Sequence, residues 1–251
     1  MIARLIALAA IVAAAAMSAP AAAQEREGGY LYKVTTVRAA PGSLEALLNY
    51  MAQVMASDYF EKSGEHPPFL MRHSQGDQWD LLIIEPMESW SAYHSKATNE
   101  KRKNARAAVS ETTKTEAPLI AFQEDHFAYG PPLAELSREY AENAFYHIEM
   151  FEAAPGKAAE LLEQRRMENA YLAATGQTTN MIFRRAAGSD VDVFTIGFHE
   201  SLQAFAEPSS ATGEEAEAAA RAAGFKDRAD ISFYLRALIS GHHDTLAVKV
   251  E

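Results

Sequence analysis

The chain has 251 residues, a formal net charge of −11 and no cysteine. The lack of cysteine excludes disulfides, metal–thiolate sites and thiol nucleophiles, so core packing must hold the fold together. The acidic balance argues against nucleic-acid binding, because that function needs a clustered basic surface. The short basic run at residues 96–106 is typical of the solvated face of a helix.

The N-terminal segment has the pattern of a signal peptide. Arg4 supplies a positive charge, an apolar run extends from Leu5 to Met17, and small residues at 21–23 offer a cleavage site. The apolar run is shorter than the ~20 residues that span a bilayer, so we predict export without a membrane anchor. The mature protein is expected to be periplasmic or secreted after cleavage near Ala23.

Two stretches of the chain have the same design. LYKVTTVRAAPGSLEALLNY begins at Leu31, and FYHIEMFEAAPGKAAELLEQ begins at Phe145. In both, a strand-like alternation ends at Pro-Gly and leucines at helical spacing follow. Further on, GDQWDLLIIEPMESW from Gly76 matches GSDVDVFTIGFHESL from Gly188. A period of about 115 residues indicates a repeated domain rather than a solenoid.

Each copy reads as strand, helix, strand, strand, helix, strand. The first strands are predicted at Tyr30–Arg38 and Phe145–Ala153, and glycine-containing turns join the two middle strands of each copy as hairpins. The second copy also carries an Ala/Glu-rich insertion, PSSATGEEAEAAARAAGF, which we interpret as a surface excursion. The order βαββαβ is that of the ferredoxin-like unit, whose antiparallel sheet has helices on one face.

We therefore predict an α+β fold of two tandem ferredoxin-like repeats packed sheet to sheet. The first repeat is placed at residues 30–130 and the second at 145–251, with a linker at 131–144. A second copy in the same chain covers the apolar sheet face that one unit leaves open.

The Ala-Ala-Pro-Gly turn after each first strand resembles the start of the NIPSNAP and antibiotic biosynthesis monooxygenase-like families. These families belong to the dimeric α/β barrel superfamily, and the resemblance implies a barrel formed as a pseudo-dimer within one polypeptide. Superfamily members include cofactor-independent monooxygenases, haem-degrading enzymes, isomerases and ligand binders. The resemblance carries over no catalytic residue, and a fold does not determine a function.

Strand alternation predicts which side chains line the interior of such a barrel. The set with Tyr32 and Tyr146 is predicted to pack under the helices. The other set is predicted to face the interior and contains Lys33, Phe145, His147, Glu149 and Phe151.

His147 and Glu149 lie two residues apart on one strand face, which suits a general acid or base oriented by a carboxylate. An ordinary polar contact, or a strand that faces the other way, explains the same pattern. Lys33 and Arg184 would stabilise negative charge on a bound molecule, while His199 and Trp79 would contact it.

The stretch GHHDT from Gly241 contains residue types that bind metals. Neighbouring strand residues point to opposite faces, however, so His242 and His243 cannot both reach one ion, and no metal is predicted.

Four functions remain open. The first is an enzyme, monooxygenase- or isomerase-like, that acts on a partly apolar small molecule without a cofactor. The second is a non-catalytic carrier of such a ligand. The third is haem binding or degradation with His147 as axial ligand, and the fourth is an interaction module whose barrel is filled by side chains. The chain is expected to act as a pseudo-dimeric monomer or to form a homo-oligomer.

Overall fold

The computed structural model describes residues 27–109 and 117–250. The predicted signal peptide at residues 1–23 lies outside these ranges. The strands are β1 (Tyr30–Ala39), β2 (Phe69–Gln75), β3 (Leu81–Glu88), β4 (Ile120–Gly130), β5 (Phe145–Ala153), β6 (Met181–Ala187), β7 (Val193–His199) and β8 (Ile239–Lys249). The helices are α1 (Leu44–Ala56), α2 (Tyr59–Ser63), α3 (Trp90–Tyr93), α4 (Lys96–Val109), α5 (Leu133–Glu142), α6 (Ala158–Ala174), α7 (Leu202–Phe205), α8 (Gly213–Ala222) and α9 (Asp230–Leu238). In the described chain, every helix is too short or too polar to cross a membrane.

The strands close into an antiparallel barrel in the order β1-β3-β2-β8-β5-β7-β6-β4. Strands β4, β1, β3 and β2 form one half, and β8, β5, β7 and β6 form the other with the same internal order. The halves join at two seams, β2–β8 and β4–β6. The prediction of two ferredoxin-like units that form one intrachain barrel is confirmed.

The interior of the barrel is filled by apolar side chains from both halves. The Phe183 ring stacks on Phe194 with the ring centroids 4.4 Å apart, and Tyr32 meets Phe183 edge-on at 5.7 Å. Helix α5, in the segment interpreted as a linker, contributes the buried Leu136 to this cluster. The Tyr32 hydroxyl donates a hydrogen bond to the Pro131 carbonyl at 2.7 Å, which ties the start of that segment to the barrel.

The prediction of which strand face is inward was wrong. Tyr32 and Tyr146 belong to the interior cluster, whereas Val37 packs with α1, and Phe151 packs with α6 and α9. Lys33, His147 and Glu149 alternate in phase with Val37 and Phe151, so they lie on the outer, helix-covered face of the sheet. Both faces of the sheet are buried, and the closed interior takes the more completely apolar set.

The Ala/Glu-rich insertion is a packed part of the second half rather than a surface excursion. Thr212 caps α8 with a capping box that includes Glu215. The alanines of α8 pack with Tyr171 of α6 and with Phe225 in a cluster of their own. The insertion therefore adds a helix that packs beside α6 in the second half.

Candidate functional site

Each half contains a cavity between the outer face of its sheet and its helices. The first cavity, of about 610 Å³, is lined by β1, β3, α1, α2 and α4, and Lys33 lies in its wall. The second cavity, of about 1020 Å³, is lined by β5, α6, the end of β7, α7 and the loop at 207–210. His147, Glu149 and His199 line the second cavity, so the structure separates them from Lys33.

His147 and Glu149 of β5 meet two residues of the neighbouring strand β8. His147 Nε2 lies 2.8 Å from Asp244 Oδ1, and His242 Nε2 lies 3.2 Å from Glu149 Oε1. Glu149 pairs directly with Asp244 across the two strands. Both pairs, 147/149 and 242/244, have the two-residue spacing that places side chains on one face. We call His147, Glu149, His242 and Asp244 the His–carboxylate cluster.

Residues of α6 and β5 contact this cluster on the side away from the cavity. The buried Arg165 guanidinium has Nη1 3.5 Å from Glu149 Oε2 and also forms an ion pair with Glu168. Phe151, predicted to line the site, instead stacks against His242 at 4.8 Å and lies 4.5 Å below the Arg165 guanidinium. Phe151 thus positions both side chains that flank Glu149.

The charges in the cluster stabilise one another. Burial alone would lower the pKa of His147, but the hydrogen bond with Asp244 and the charges of nearby carboxylates outweigh burial and raise it above 6.5. Burial opposes ionisation of Glu149, yet His242 and Arg165 hold the pKa of Glu149 below its usual value. The hydrogen bond from His147 likewise lowers the pKa of Asp244. The two carboxylates are therefore ionised at neutral pH, next to an imidazole of raised basicity.

Aromatic and amide groups surround the outer part of the second cavity. The Phe205 ring of α7 lies 5.1 Å from the His147 ring and 5.2 Å from the His199 ring, measured between centroids. A Cβ atom added to Gly197 would lie 2.9 Å from Asn180 Oδ1 and 3.1 Å from His199 Nε2. The missing side chain at 197 therefore leaves room for these polar groups beside His147.

The other predicted site residues lie elsewhere in the described chain. Phe145 packs on Phe205 at 5.6 Å, behind the wall of the second cavity. Trp79 belongs to the barrel interior, and the Arg184 guanidinium lies 4.7 Å from the Tyr129 ring centroid near the β4–β6 seam. Of the predicted ligand contacts, the structure brings only His199 to the cavity that contains His147.

In the first cavity, Lys33 forms ion pairs with two carboxylates. Its ammonium lies 2.9 Å from Glu85 Oε2 and 3.5 Å from Asp125 Oδ1. Arg102, in the basic run predicted to be a solvated face, is instead buried, and its Nε lies 2.6 Å from Glu65 Oε1. The prediction for this run was wrong at Arg102, because helix α4 covers the first cavity and this residue points into it.

Sequence reasoning missed the roles of His242, Asp244, Arg165 and Phe205. The signal was present in GHHDT, because His242 and Asp244 share one face while His243 points the other way, with Nδ1 3.4 Å from Asp77 Oδ1. The adjacent histidines do point to opposite faces of β8, as predicted. The alternate pair, His242 and Asp244, instead lies on one face beside His147 and Glu149 of the neighbouring strand.

Solved structures with a similar fold cover nearly the whole chain. An anthrone oxidase-like protein aligns at 13% sequence identity with a TM-score of 0.57, over 91% of this chain and 94% of its own. A protein named as a candidate monooxygenase of Fusobacterium nucleatum subsp. nucleatum aligns at 10% identity with a TM-score of 0.52, over 88% of this chain and 92% of its own. The fold is a dimeric α/β barrel.

A chlorite dismutase variant of Candidatus Nitrospira defluvii aligns at 13% identity with a TM-score of 0.46, over 89% of this chain and 91% of its own. No protein-family profile and no curated protein matches the chain. The anthrone oxidase-like protein and the Fusobacterium protein share the fold of this chain at low identity, and a shared fold does not determine a function.

Proposed function

We propose that the protein is an enzyme that binds a small, partly apolar organic molecule in the second cavity and removes a proton from it with His147. The observation that carries this proposal is the position of His147, which lies in the wall of a cavity of about 1020 Å³ and has its Nε2 2.8 Å from Asp244 Oδ1. The cavity has room for a drug-sized molecule, and a histidine paired with a carboxylate is a common general base.

The proton transfer follows from the hydrogen bond. The Asp244 carboxylate accepts the Nε2–H of His147, which leaves Nδ1 with the lone pair that receives a proton. A C–H or O–H group of the bound molecule supplies this proton, and Asp244 and Glu149 stabilise the imidazolium that forms. The substrate anion then reacts with dioxygen in a monooxygenase or is reprotonated at another atom in an isomerase. Both reactions share the step at His147.

Anthrone is the first probe, because one structural neighbour is named anthrone oxidase-like. In this reaction the methylene carbon loses two hydrogens and gains a carbonyl oxygen from dioxygen, and the second oxygen atom leaves as water. We expect the full chain to consume oxygen with anthrone. Native mass spectrometry of the purified protein, compared with its denatured mass, tests independently for a bound molecule.

A variant that blocks the second cavity tests whether the ligand binds there. We expect Gly197→Val to weaken ligand binding at least tenfold, because its side chain would fill the space between His147, His199 and Asn180. Gly213→Ala is the matched control, since a Cβ atom there meets nothing within 4 Å. Equal binding by both variants would place the ligand elsewhere, and binding without turnover would favour the non-catalytic carrier.

The pH dependence of turnover has a defined sign. The unprotonated imidazole is the base, so kcat/KM should rise with pH through the raised pKa of His147. Asp244→Asn removes an interaction that raises this pKa, so the acidic limb of the profile should move to lower pH. We would measure kcat/KM from pH 5 to pH 9 for both proteins. A limb that does not move would show that the titrating group is not His147.

We also propose export and a tandem duplication of a NIPSNAP-like unit. The charge and apolar run of residues 1–23 support export, and N-terminal sequencing of the protein from an exporting host should begin near Gln24. The recurrence of Pro-Gly after β1 and β5 and the equal strand order of the halves support duplication. A mature protein that retains Met1 would refute export.

A further inference from the structure

The His–carboxylate cluster contains more donors than a proton transfer needs. One donor atom each from His147, Glu149 and Asp244 lie within 4.8 Å of one another, and His242 Nε2 lies 3.2 Å from Glu149 Oε1. Two imidazoles and two carboxylates form a donor set typical of divalent first-row transition metals, Zn²⁺ among them. We propose that this cluster is a binding site for one divalent transition-metal ion.

The first half of the barrel shows what occupies the equivalent place. There Thr35 pairs with Asp125 across β1 and β4, just as Glu149 pairs with Asp244 across β5 and β8. The position of His147 is taken by Lys33, whose ammonium lies 3.5 Å from Asp125 Oδ1. In the first half, the cation next to Asp125 is therefore the ammonium of the Lys33 side chain.

The second half lacks that lysine and has gained metal ligands instead. Its β5 carries His147 and Glu149 where β1 carries Lys33 and Thr35, and β8 carries His242 where β4 carries Gln123. Each half has two carboxylates at this place, because Glu149 is present in the second half while Gly197 of β7 stands where β3 carries Glu85, but the second half lacks the ammonium between them. A divalent cation would occupy the place of the Lys33 ammonium, on the side of Glu149 opposite the Arg165 guanidinium, which is already paired with Glu149 and Glu168.

The surroundings of the cluster permit such an ion. Arg165 is the positive group nearest to Glu149, but it is also paired with Glu168, and it approaches Oε2 while Oε1 faces His242. The second cavity gives access, because His147 and Glu149 lie in its wall. Tetrahedral Zn²⁺ with bonds of about 2.0–2.2 Å needs donor atoms roughly 3.5 Å apart. Side-chain rotations that move each donor atom by about 1 Å would therefore bring the donors to this spacing.

This inference does not depend on the proposed enzyme activity. An ion bound at His147 Nε2 replaces the proton shared with Asp244 and leaves Nδ1 protonated, so the bound metal blocks the proposed base. Metal binding and proton transfer at His147 are then alternative states of one cluster. Zn²⁺ should accordingly inhibit turnover, whereas a protein without turnover should still bind Zn²⁺.

Isothermal titration of Zn²⁺ into the full chain, after treatment with a chelator, tests the site. We expect one ion per chain with a micromolar or lower Kd. Asp244→Asn and Glu149→Gln, which preserve shape, should each weaken binding at least tenfold. His243→Ala should change it less than threefold, since this neighbouring imidazole faces away from the cluster.

A graft of the first-half residues provides the strictest comparison. In the double variant His147→Lys, Glu149→Thr, the new ammonium should pair with Asp244 as Lys33 pairs with Asp125, so the protein should fold but lose the site. Circular dichroism of each variant checks folding. The inference is overturned if wild type shows no saturable binding, if the graft binds Zn²⁺ as tightly as wild type, or if His243→Ala weakens binding as much as Asp244→Asn.

Discussion

The His147→Gln variant is expected to lose roughly a hundred- to ten-thousand-fold in kcat while it keeps its affinity for the bound molecule. Glutamine has a similar reach and can still donate a hydrogen bond to Asp244, which lies 2.8 Å from His147 Nε2 in the native protein. It cannot accept a proton near neutral pH, so only the proton-transfer step is removed. Oxygen uptake with anthrone gives kcat, and a separate titration gives the affinity.

His243→Gln is the control for this experiment. His243 lies next to the cluster in sequence, but its Nδ1 is directed at Asp77, 3.4 Å away. The control should keep turnover within about twofold, because surface substitutions away from a site have small effects. Equal losses in both variants, or a loss of affinity alone in His147→Gln, would give His147 a structural rather than a catalytic role.

The Phe183→Ala variant is expected to lower the free energy of unfolding by about 3–5 kcal/mol, the usual cost of removing a large core aromatic. Phe183 is 0% exposed and stacks on Phe194 inside the barrel, with ring centroids 4.4 Å apart. Truncation leaves a cavity, and the neighbouring side chains of the closed barrel cannot move in to fill it because the interior is close-packed. Urea denaturation followed by circular dichroism measures the change.

Phe233→Ala is the matched control, because this phenylalanine of α9 is 73% exposed and its truncation should cost less than about 0.5 kcal/mol. A small loss in Phe183→Ala would mean that the barrel interior is loosely filled and available to a ligand. That outcome would favour a binding site in the interior of the barrel rather than in the second cavity.

The interior of the barrel is filled by apolar side chains, so the clustered charged side chains and histidines lie on its outer face. The inward side chains of both halves form one apolar cluster, whereas both cavities lie between sheet and helices. The two cavities differ within one fold: an ammonium with its carboxylates lies in the first, whereas His147 and His199 lie in the wall of the second. The same backbone thus carries two different sites, in line with the separation of fold and function.

The sequence by itself determined the strand order and part of the site. Alternation and the Pro-Gly turns were sufficient to predict two βαββαβ units, because local periodicity depends on which residues can be buried in a strand or a helix. The two-residue spacing of His147 and Glu149 placed them on one face by backbone geometry alone, and the structure keeps them together.

The tertiary structure decided that His147 and Glu149 lie on the helix-covered face of the sheet and which residues of other strands lie beside them. Both faces of this sheet are covered, so alternation could not distinguish the barrel interior from the helix side. The register of β8 against β5 brings Asp244 opposite Glu149, and His242 beside it, from almost a hundred residues away. This pairing forms within the sheet of the second half, between strands that are distant in sequence, and no local pattern contains its register. Because β1 and β5 lie on opposite sides of the barrel, the outward-facing Lys33 and His147 lie in the separate cavities of their own halves.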